Sequence, residues 1–312
     1  MLRCPMFLFL HTACLHNSVV ADTDSGSVLA ETDSGADTEP ADVPIALWVW
    51  TPSIAGDEDA TADLLSFAAD QGVSTLFFTC DEVGYGIAGA VERYTTFVDA
   101  AHLAGIAVFG MTGYSWFSVP CDAGLSGQDT CWTEGWTVFE TCAASGVGFD
   151  GFMDDTEPAS TPDGSFFTDF QQRAQWHLDY LRGIRERIGD LPLHHATPAW
   201  YDDLEPLALD DGATEATLDV WIAGVVDVVG VMAYRDSAEE VLPLAATELS
   251  RGPIWIGLET GPSSEGEGIT FEDDGAAALE AAMSALADST RDEPNLRGFM
   301  VDSYETWRSL PE

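Results

Sequence analysis

Short apolar runs rich in Val, Ile and Phe recur from residue 43 onward, and longer segments with helical periodicity separate them. A continuously apolar run is typical of a strand in a parallel sheet that helices cover on both faces. The predicted strands are Ile45–Trp50, Ser74–Thr79, Ala107–Met111, Gly148–Met153, Leu193–Thr197, Val225–Ala233, Ile254–Leu258 and Gly298–Val301. Helices, predicted from apolar residues three and four positions apart, include Ala60–Asp70, Ala90–Ala104, Phe167–Ile188 and Ala276–Ala287.

Eight strand–helix units favour a closed α/β barrel over an open sheet. An open doubly wound sheet usually carries a glycine-rich phosphate loop after its first strand. Here Thr51 and Pro52 follow the first strand instead, without a glycine cluster. Gly72, Gly105 and Gly146 stand where predicted helices end, as expected for left-handed helix caps. We therefore predict a single-domain (β/α)8 barrel, or TIM barrel, over residues 43–312.

Two segments precede the predicted barrel. Residues 1–14 read MLRCPMFLFLHTAC, which resembles a bacterial lipoprotein signal whose final Cys14 becomes lipidated. An ordinary secretory signal cleaved slightly later is the alternative, and both predict export. Residues 15–42 repeat Asp-Thr-Asp-Ser-Gly and Glu-Thr-Asp-Ser-Gly with little apolar content, which predicts a disordered acidic tether. We expect a bacterial outer-membrane or cell-surface lipoprotein, or a secreted protein.

The charge of the chain is strongly negative. It has 54 acidic residues against 11 basic ones, all of them Arg, for a net charge of −43. Nucleic acids and anionic membranes would be repelled, so we expect neither as a partner, and membrane contact only through a lipid at Cys14. The surface charge favours solubility, and we expect a monomer without cofactor or metal.

Four cysteines fall within the predicted barrel, and in an exported domain they suggest two disulfides. Cys121 and Cys131 flank a loop of Gly, Ser and Asp, which favours that pair and leaves Cys80 with Cys142. A zinc site is the alternative, but the spacings differ from the short paired ones of zinc sites.

Barrel active sites lie at the carboxyl ends of the strands. Those positions are rich in carboxylates and aromatic residues here, the combination that glycoside hydrolysis uses. Asp154, Asp155 and Glu157 repel one another within four residues, which indicates a functional role. Structural roles remain open for other strand-end residues: a helix cap for Asp236 or Asp302, interior packing for Trp48, and a core position for His195. The predicted substrate-binding residues are Trp50, Asp81, Trp116, Asp154, Trp200, Asp236, Tyr304 and Trp307.

The fourth strand resembles the signature of family 18 chitinases, Asp-Gly-x-Asp-x-Asp-x-Glu. Asp150, Gly151, Asp155 and Glu157 match it, while Met153 replaces the middle Asp. The sixth strand, Met-Ala-Tyr-Arg-Asp over residues 232–236, is similar to that family's Met-x-Tyr-Asp with one residue inserted. The resemblance makes Trp307 the counterpart of a strand-8 Trp. It also implies that Glu157 is the general acid, that Asp155 orients an attacking acetamido group of the substrate, and that Tyr234 assists.

A second resemblance gives Glu157 a different partner. Thr156-Glu157-Pro158 is similar to the Asn-Glu-Pro of the clan of retaining barrel glycosidases, with Thr in place of Asn. In that clan a Glu ending strand 7 is the nucleophile, which implies this role for Glu259.

From both resemblances we expect an exported glycoside hydrolase-like protein that cleaves an extracellular or cell-wall polysaccharide by carboxylate acid/base catalysis. A catalytically silent carbohydrate-binding barrel is one alternative, since Met153 and Thr156 each alter a motif position. A metal-dependent hydrolase using Asp81, Asp155 and His195, together with Asp154, is another.

Overall fold

The computed structural model describes residues 43–114, 117–123, 131–158, 170–210, 212–263 and 266–312. The predicted leader, the predicted tether and Trp116 lie outside the described residues. None of the helices in the described ranges is both long and apolar enough to cross a membrane.

Eight parallel strands close into a barrel, as the sequence predicted. They are β1 (Ile45–Val49), β2 (Val73–Thr79), β3 (Ala107–Thr112), β4 (Gly151–Asp154), β5 (Leu193–Pro198), β8 (Val228–Met232), β9 (Ile254–Glu259) and β10 (Leu296–Asp302). Each strand pairs with the next in this order, and β10 pairs with β1. The predicted fourth strand began at Gly148, three residues too early. Gly148 has a φ of 93°, a left-handed backbone that interrupts an extended strand.

Helices and turns connect the barrel strands. The helices are α1 (Glu58–Asp70), α2 (Asp81–Gly84), α3 (Ala90–Leu103), α4 (Trp132–Ala144), α5 (Phe170–Ile188), α6 (Leu218–Ala223), α7 (Ala238–Arg251), α8 (Ala276–Ser289) and α9 (Tyr304–Trp307). Two short strands, β6 (Leu207–Ala208) and β7 (Glu215–Ala216), form an antiparallel pair outside the barrel that the sequence did not predict. At the start of α1, the Asp57 side chain accepts backbone hydrogen bonds from Asp59 and Ala60, an ordinary N-cap.

Large apolar side chains fill the inside of the barrel. Trp48, Met153 and Trp255 are buried in one cluster with Phe77, Met111 and Met300, which confirms an interior position for Trp48. Met153 stands where the chitinase signature has an Asp, so an apolar contact replaces that carboxylate. A second cluster, larger than this one, fills the space between strands and helices. The barrel is therefore a packed core, and only its ends can hold a ligand.

The cysteine prediction was half right. Cys121 and Cys131 form the favoured disulfide. Cys80 and Cys142 are buried free thiols, so the second predicted disulfide is wrong. The two residues are neighbours, but the Cys142 thiol donates to the backbone carbonyl of Cys80 over 3.3 Å. Burial raises the pKa of the Cys80 thiol well above its usual value, which keeps it protonated.

Candidate active site

Four strands bring ionisable side chains to the carboxyl end of the barrel, which we call the mouth. Asp155 and Glu157 follow β4, and Tyr234 follows β8. Glu259 and Asp302 are the last residues of β9 and β10, and the sheet register places them side by side. The sequence separates these groups by up to 147 positions, and barrel closure collects them.

Asp155 is held from behind by the end of β3. Its backbone N–H donates to the carbonyl of Thr112 over 3.0 Å, and Gly113 lies so close that a Cβ there would overlap Asp155. Its Oδ1 atom is buried and has no hydrogen-bond partner among the described residues. Burial raises the pKa of Asp155 well above its usual value, and the charges of Glu157, Asp302 and Asp154 raise it further. Asp155 therefore keeps its proton at a pH where an ordinary Asp is ionised.

Tyr234 lies among the acidic groups of the mouth. Burial raises the pKa of its phenol well above the usual value, and the negative charges of Asp302, Asp155, Glu259 and Glu157 add to the effect in that order. Because four carboxyl groups act on one phenol, they share its surroundings. A phenol that keeps its proton can donate a hydrogen bond to a bound ligand.

Asp302 is the third residue at the mouth with a raised pKa. The indole N–H of Trp50 donates to its Oδ1 over 3.1 Å. Burial raises the pKa of Asp302 to about 6, the Trp50 hydrogen bond opposes the shift, and the charge of Glu305 adds to it. The helix-cap role that the sequence left open for Asp302 belongs to Ser303, whose N–H donates to the hydroxyl of Thr306 over 3.0 Å.

Glu259 has a backbone hydrogen-bond donor. The N–H of Gly261 donates to its Oε1 over 2.5 Å. A hydrogen bond from an amide favours the ionised form of a carboxyl group. The mouth therefore offers carboxyl groups in different environments, which is the condition for dividing acid and base roles between them.

Asp81 marks the opposite edge of the mouth, after β2. It accepts hydrogen bonds from the Thr112 hydroxyl over 2.5 Å and from the Tyr114 phenol over 2.7 Å. Tyr114 is 44% exposed and was not among the predicted binding residues. Its position just after the predicted third strand was the sequence signal that could have identified Tyr114 as a residue of the mouth. Trp200, which was predicted, is 39% exposed after β5 and contacts the ring of Tyr201 edge-on.

Three predicted substrate contacts are corrected by the structure. Asp154 is fully buried and faces α5, on the outer side of β4. Tyr304 and Trp307 are also buried, and their rings pack edge-on against Phe67 of α1 at centroid distances of 5.5 and 5.4 Å. The strand-end rule placed these residues near the carboxyl end of the barrel, but it did not tell which side of the strand or helix each residue occupies.

Asp236, another predicted substrate-binding residue, lies just beyond β8. It is partly buried, and its N–H donates to the carbonyl of Gly268 over 3.3 Å.

The described part of the chain contains no group of three His, Cys, Asp or Glu side chains arranged to hold a metal ion. The set suggested for a metal-dependent hydrolase is divided, because Asp154 and His195 bond to each other outside the barrel while Asp81 lies at the mouth.

Comparisons with known proteins identify the fold. No family model matches the chain, and no curated protein matches its sequence. A chitinase from Rhizomucor miehei superposes with a TM-score of 0.50 at 14% identity, over 84% of this chain and 95% of its own. The glycoside hydrolase domain of PgaB from Bordetella bronchiseptica gives 0.50 at 12% identity, over 83% and 94%. β-Glucosidase 2 from Trichoderma reesei gives 0.52 at 12% identity, over 85% and 90%. The chain thus shares its barrel fold with glycoside hydrolases.

Proposed function

We propose that the chain is an exported glycoside hydrolase that cleaves an extracellular or cell-wall polysaccharide, with Glu157 as the proton donor. The observation that carries this proposal is the convergence of Asp155, Glu157, Tyr234 and Glu259 at the barrel mouth, where all three carboxyl groups raise the pKa of one phenol. Glycoside hydrolysis requires carboxyl groups in different protonation states. The fold shared with a chitinase and a β-glucosidase supports the same reaction class.

The arrangement around Asp155 favours assistance by the substrate's own acetamido group. In this mechanism the acetamido oxygen attacks the anomeric carbon, the glycosidic bond breaks, and Glu157 gives its proton to the leaving oxygen. Water then opens the cyclic intermediate and returns a proton to Glu157. Asp155, whose raised pKa keeps it protonated, would hold the acetamido group by a hydrogen bond. Tyr234 would donate from the other side.

A retaining pair of Glu157 and Glu259 is the second candidate. The hydrogen bond from Gly261 to Glu259 favours an ionised carboxylate, which a nucleophile requires. Under this mechanism the anomeric carbon forms a bond to Glu259 while Glu157 protonates the leaving oxygen, and water later breaks the bond to Glu259. A substrate without an acetamido group would then be cleaved as well.

The proposal is tested by Glu157→Gln in an assay of reducing ends released from chitin, peptidoglycan and cellulose oligomers. We expect the variant to lose about 1,000-fold in kcat on the responsive substrate, within the range for removal of a general acid. Glu280→Gln, an exposed position on α8, is the matched control. Equal activity of Glu157→Gln and the wild type would overturn the assignment. Binding of oligomers without product would instead support a silent carbohydrate-binding barrel.

The same assay separates the two mechanisms. If the acetamido group of the substrate attacks, deacetylated oligomers are not cleaved and a thiazoline analogue of the cyclic intermediate inhibits. If Glu259 attacks, Glu259→Gly loses activity that added azide restores, because azide replaces the missing carboxylate.

Export is the second part of the proposal, and residues 1–14 support it through their resemblance to a lipoprotein signal. We expect the full chain, produced in a Gram-negative host, to sediment with membranes. Cys14→Ser is expected to release it into a soluble fraction or leave it unprocessed. Recovery of the unaltered chain in the cytoplasm would contradict export.

A further inference from the structure

A polar cluster is sealed between the outer face of β4, strand β5 and helix α5. Asp154, Thr156, His177, Tyr180 and His195 are each fully buried there. Side chains alternate along a strand, so Met153 points into the barrel while Asp154 points out toward α5. None of these five side chains reaches the barrel mouth, and the proposed reaction does not use them directly.

Asp154 is the centre of this cluster. Its Oδ1 accepts from the Thr156 hydroxyl over 2.9 Å and from the Tyr180 phenol over 3.0 Å. Its Oδ2 lies 2.9 Å from His195 Nδ1 and 3.4 Å from the backbone nitrogen of Thr156. Thr156 is therefore held by both its hydroxyl and its N–H.

The two histidines extend the cluster into α5. His177 Nε2 lies 3.2 Å from His195 Nε2. Burial and the neighbouring His195 lower the pKa of His177 well below its usual value, so His177 is neutral. A consistent assignment has His177 donate to His195 and His195 donate to Asp154, which fixes the proton of His195 on Nδ1.

Thr156 lies directly between the two carboxyl groups that the proposed mechanism uses. Asp155 is fixed on its other side by the Thr112 carbonyl, so the chain is held at both 155 and 156. Burying a carboxylate and two imidazoles is expensive compared with an apolar packing of similar volume. The hydrogen bonds that join these side chains can instead specify one local conformation, even though His177 Nδ1 has no partner among the described residues.

We propose that Asp154, oriented by His195 and His177, is a positioning residue that fixes the backbone at Thr156 and thereby directs Asp155 and Glu157 toward the bound sugar. This inference rests on the proposed function of Glu157. Catalytic groups displaced by about 1 Å can lose about 100-fold in rate. The network would thus act on kcat while making no contact with the substrate.

Thr156→Val tests the positioning role with the least disturbance, because it keeps the shape and removes the hydroxyl. We expect kcat to fall at least about tenfold while KM changes less than about threefold. Thr156→Ser should restore kcat, since it returns the hydroxyl. Thr290→Val is the matched control: its hydroxyl is also buried and bonded, but to Leu286 at the end of α8.

Asp154→Asn adds a pH profile that reports on the charge of Asp154. The charge of Asp154 is one cause of the raised pKa of Asp155, alongside Glu157 and Asp302. Removing it should lower that pKa, so the alkaline limb of the kcat profile should move to lower pH. The other side chains of the cluster around Asp154 are those of Tyr180, His195, His177 and Thr156. Their own variants, Tyr180→Phe for example, supply a comparison that leaves this charge in place.

The outcomes distinguish the positioning role from the proposed function. Loss of activity in Glu157→Gln with unchanged kcat in Thr156→Val would overturn the positioning role and leave the function intact. Equal losses of kcat and thermal stability in Thr156→Val and Thr290→Val would also overturn it. Unchanged activity in Glu157→Gln would overturn the function itself. If Asp154→Asn does not fold, the pair Thr156→Val and Thr156→Ser still decides.

Discussion

Both ends of the barrel bury carboxyl groups, but they compensate the charge differently. At the mouth, the charges that raise the pKa of Asp155 are those of other acidic residues. At the opposite end, Glu248 of α7 and Asp219 of α6 border a cavity of about 170 Å³, and Arg251 forms an ion pair with Asp219. Burial raises the pKa of Glu248, the charges of Asp202 and Asp219 raise it further, and the charge of Arg251 opposes the shift.

The difference separates an architectural use of buried charge from a functional one. An ion pair that neutralises a buried carboxylate has a structural explanation within the fold. Like charges that raise the pKa of a buried carboxyl group disfavour its ionised form, and sites with such groups are candidates for chemistry. The mouth is therefore the better candidate for chemistry, while the ion pair between Asp219 and Arg251 has a structural explanation.

We expect the largest effect on kcat at the mouth from Asp155→Asn. In the proposed mechanism Asp155 orients the attacking acetamido group, and misplacement of a reacting group costs about 100-fold in kcat. Asp155 has a raised pKa, so activity that needs its protonated form declines as the pH rises through that value. The Asn variant should lack this alkaline decline. Asp70→Asn, exposed at the end of α1, is the control for charge removal. An unchanged kcat and pH profile would remove Asp155 from the site.

A smaller effect is expected from Asp302→Asn on thermal stability. Its pKa is raised to about 6 in the folded protein, so the folded state binds a proton that the unfolded state has already released between about pH 4 and 6. Unfolding free energy therefore falls as the pH rises through that window. The Asn variant, which can still accept from Trp50, should match the wild type at pH 4 and have a Tm higher by about 2 °C or more at pH 7.

The control for that measurement is Asp292→Asn at an exposed position. A Tm difference that is the same at pH 4 and pH 7 would show that ionisation of Asp302 does not destabilise the folded protein. A stabilised variant with reduced activity would show the opposing demands that active sites place on a fold.

The barrel was predictable because its signal is repeated. Apolar runs such as Ile254–Leu258 are continuous, and the predicted and observed bounds of that strand differ by one residue. The short pair β6 and β7 was not predictable, since two-residue strands carry no periodicity. Gly148 was assigned to a strand because the sequence pattern does not reveal a left-handed φ.

The site was predictable in position and only partly in detail. Strand-end counting led to Asp155 and Glu157, and the structure brings both to the mouth with Tyr234 and Glu259. It failed for Asp154, since a local pattern of three acidic residues does not show that the first turns outward to meet Tyr180 and His195. Those partners lie 26 and 41 positions away, and only tertiary packing brings them together.

We expect the smallest effect from Glu248→Gln, at the end of the barrel opposite the mouth. Glu248 is buried, and burial raises its pKa to about 7. The folded state then holds a proton that the unfolded state releases at about pH 4.5, so stability is lost as the pH rises from there through about 7. Glu248→Gln should show the same Tm as the wild type at pH 4, a slightly higher Tm at pH 8, and an unchanged kcat. Glu239→Gln, exposed on the same helix, should change neither. A loss of kcat in Glu248→Gln would mean that the two ends are coupled, and the division between a functional and a structural end would then be wrong.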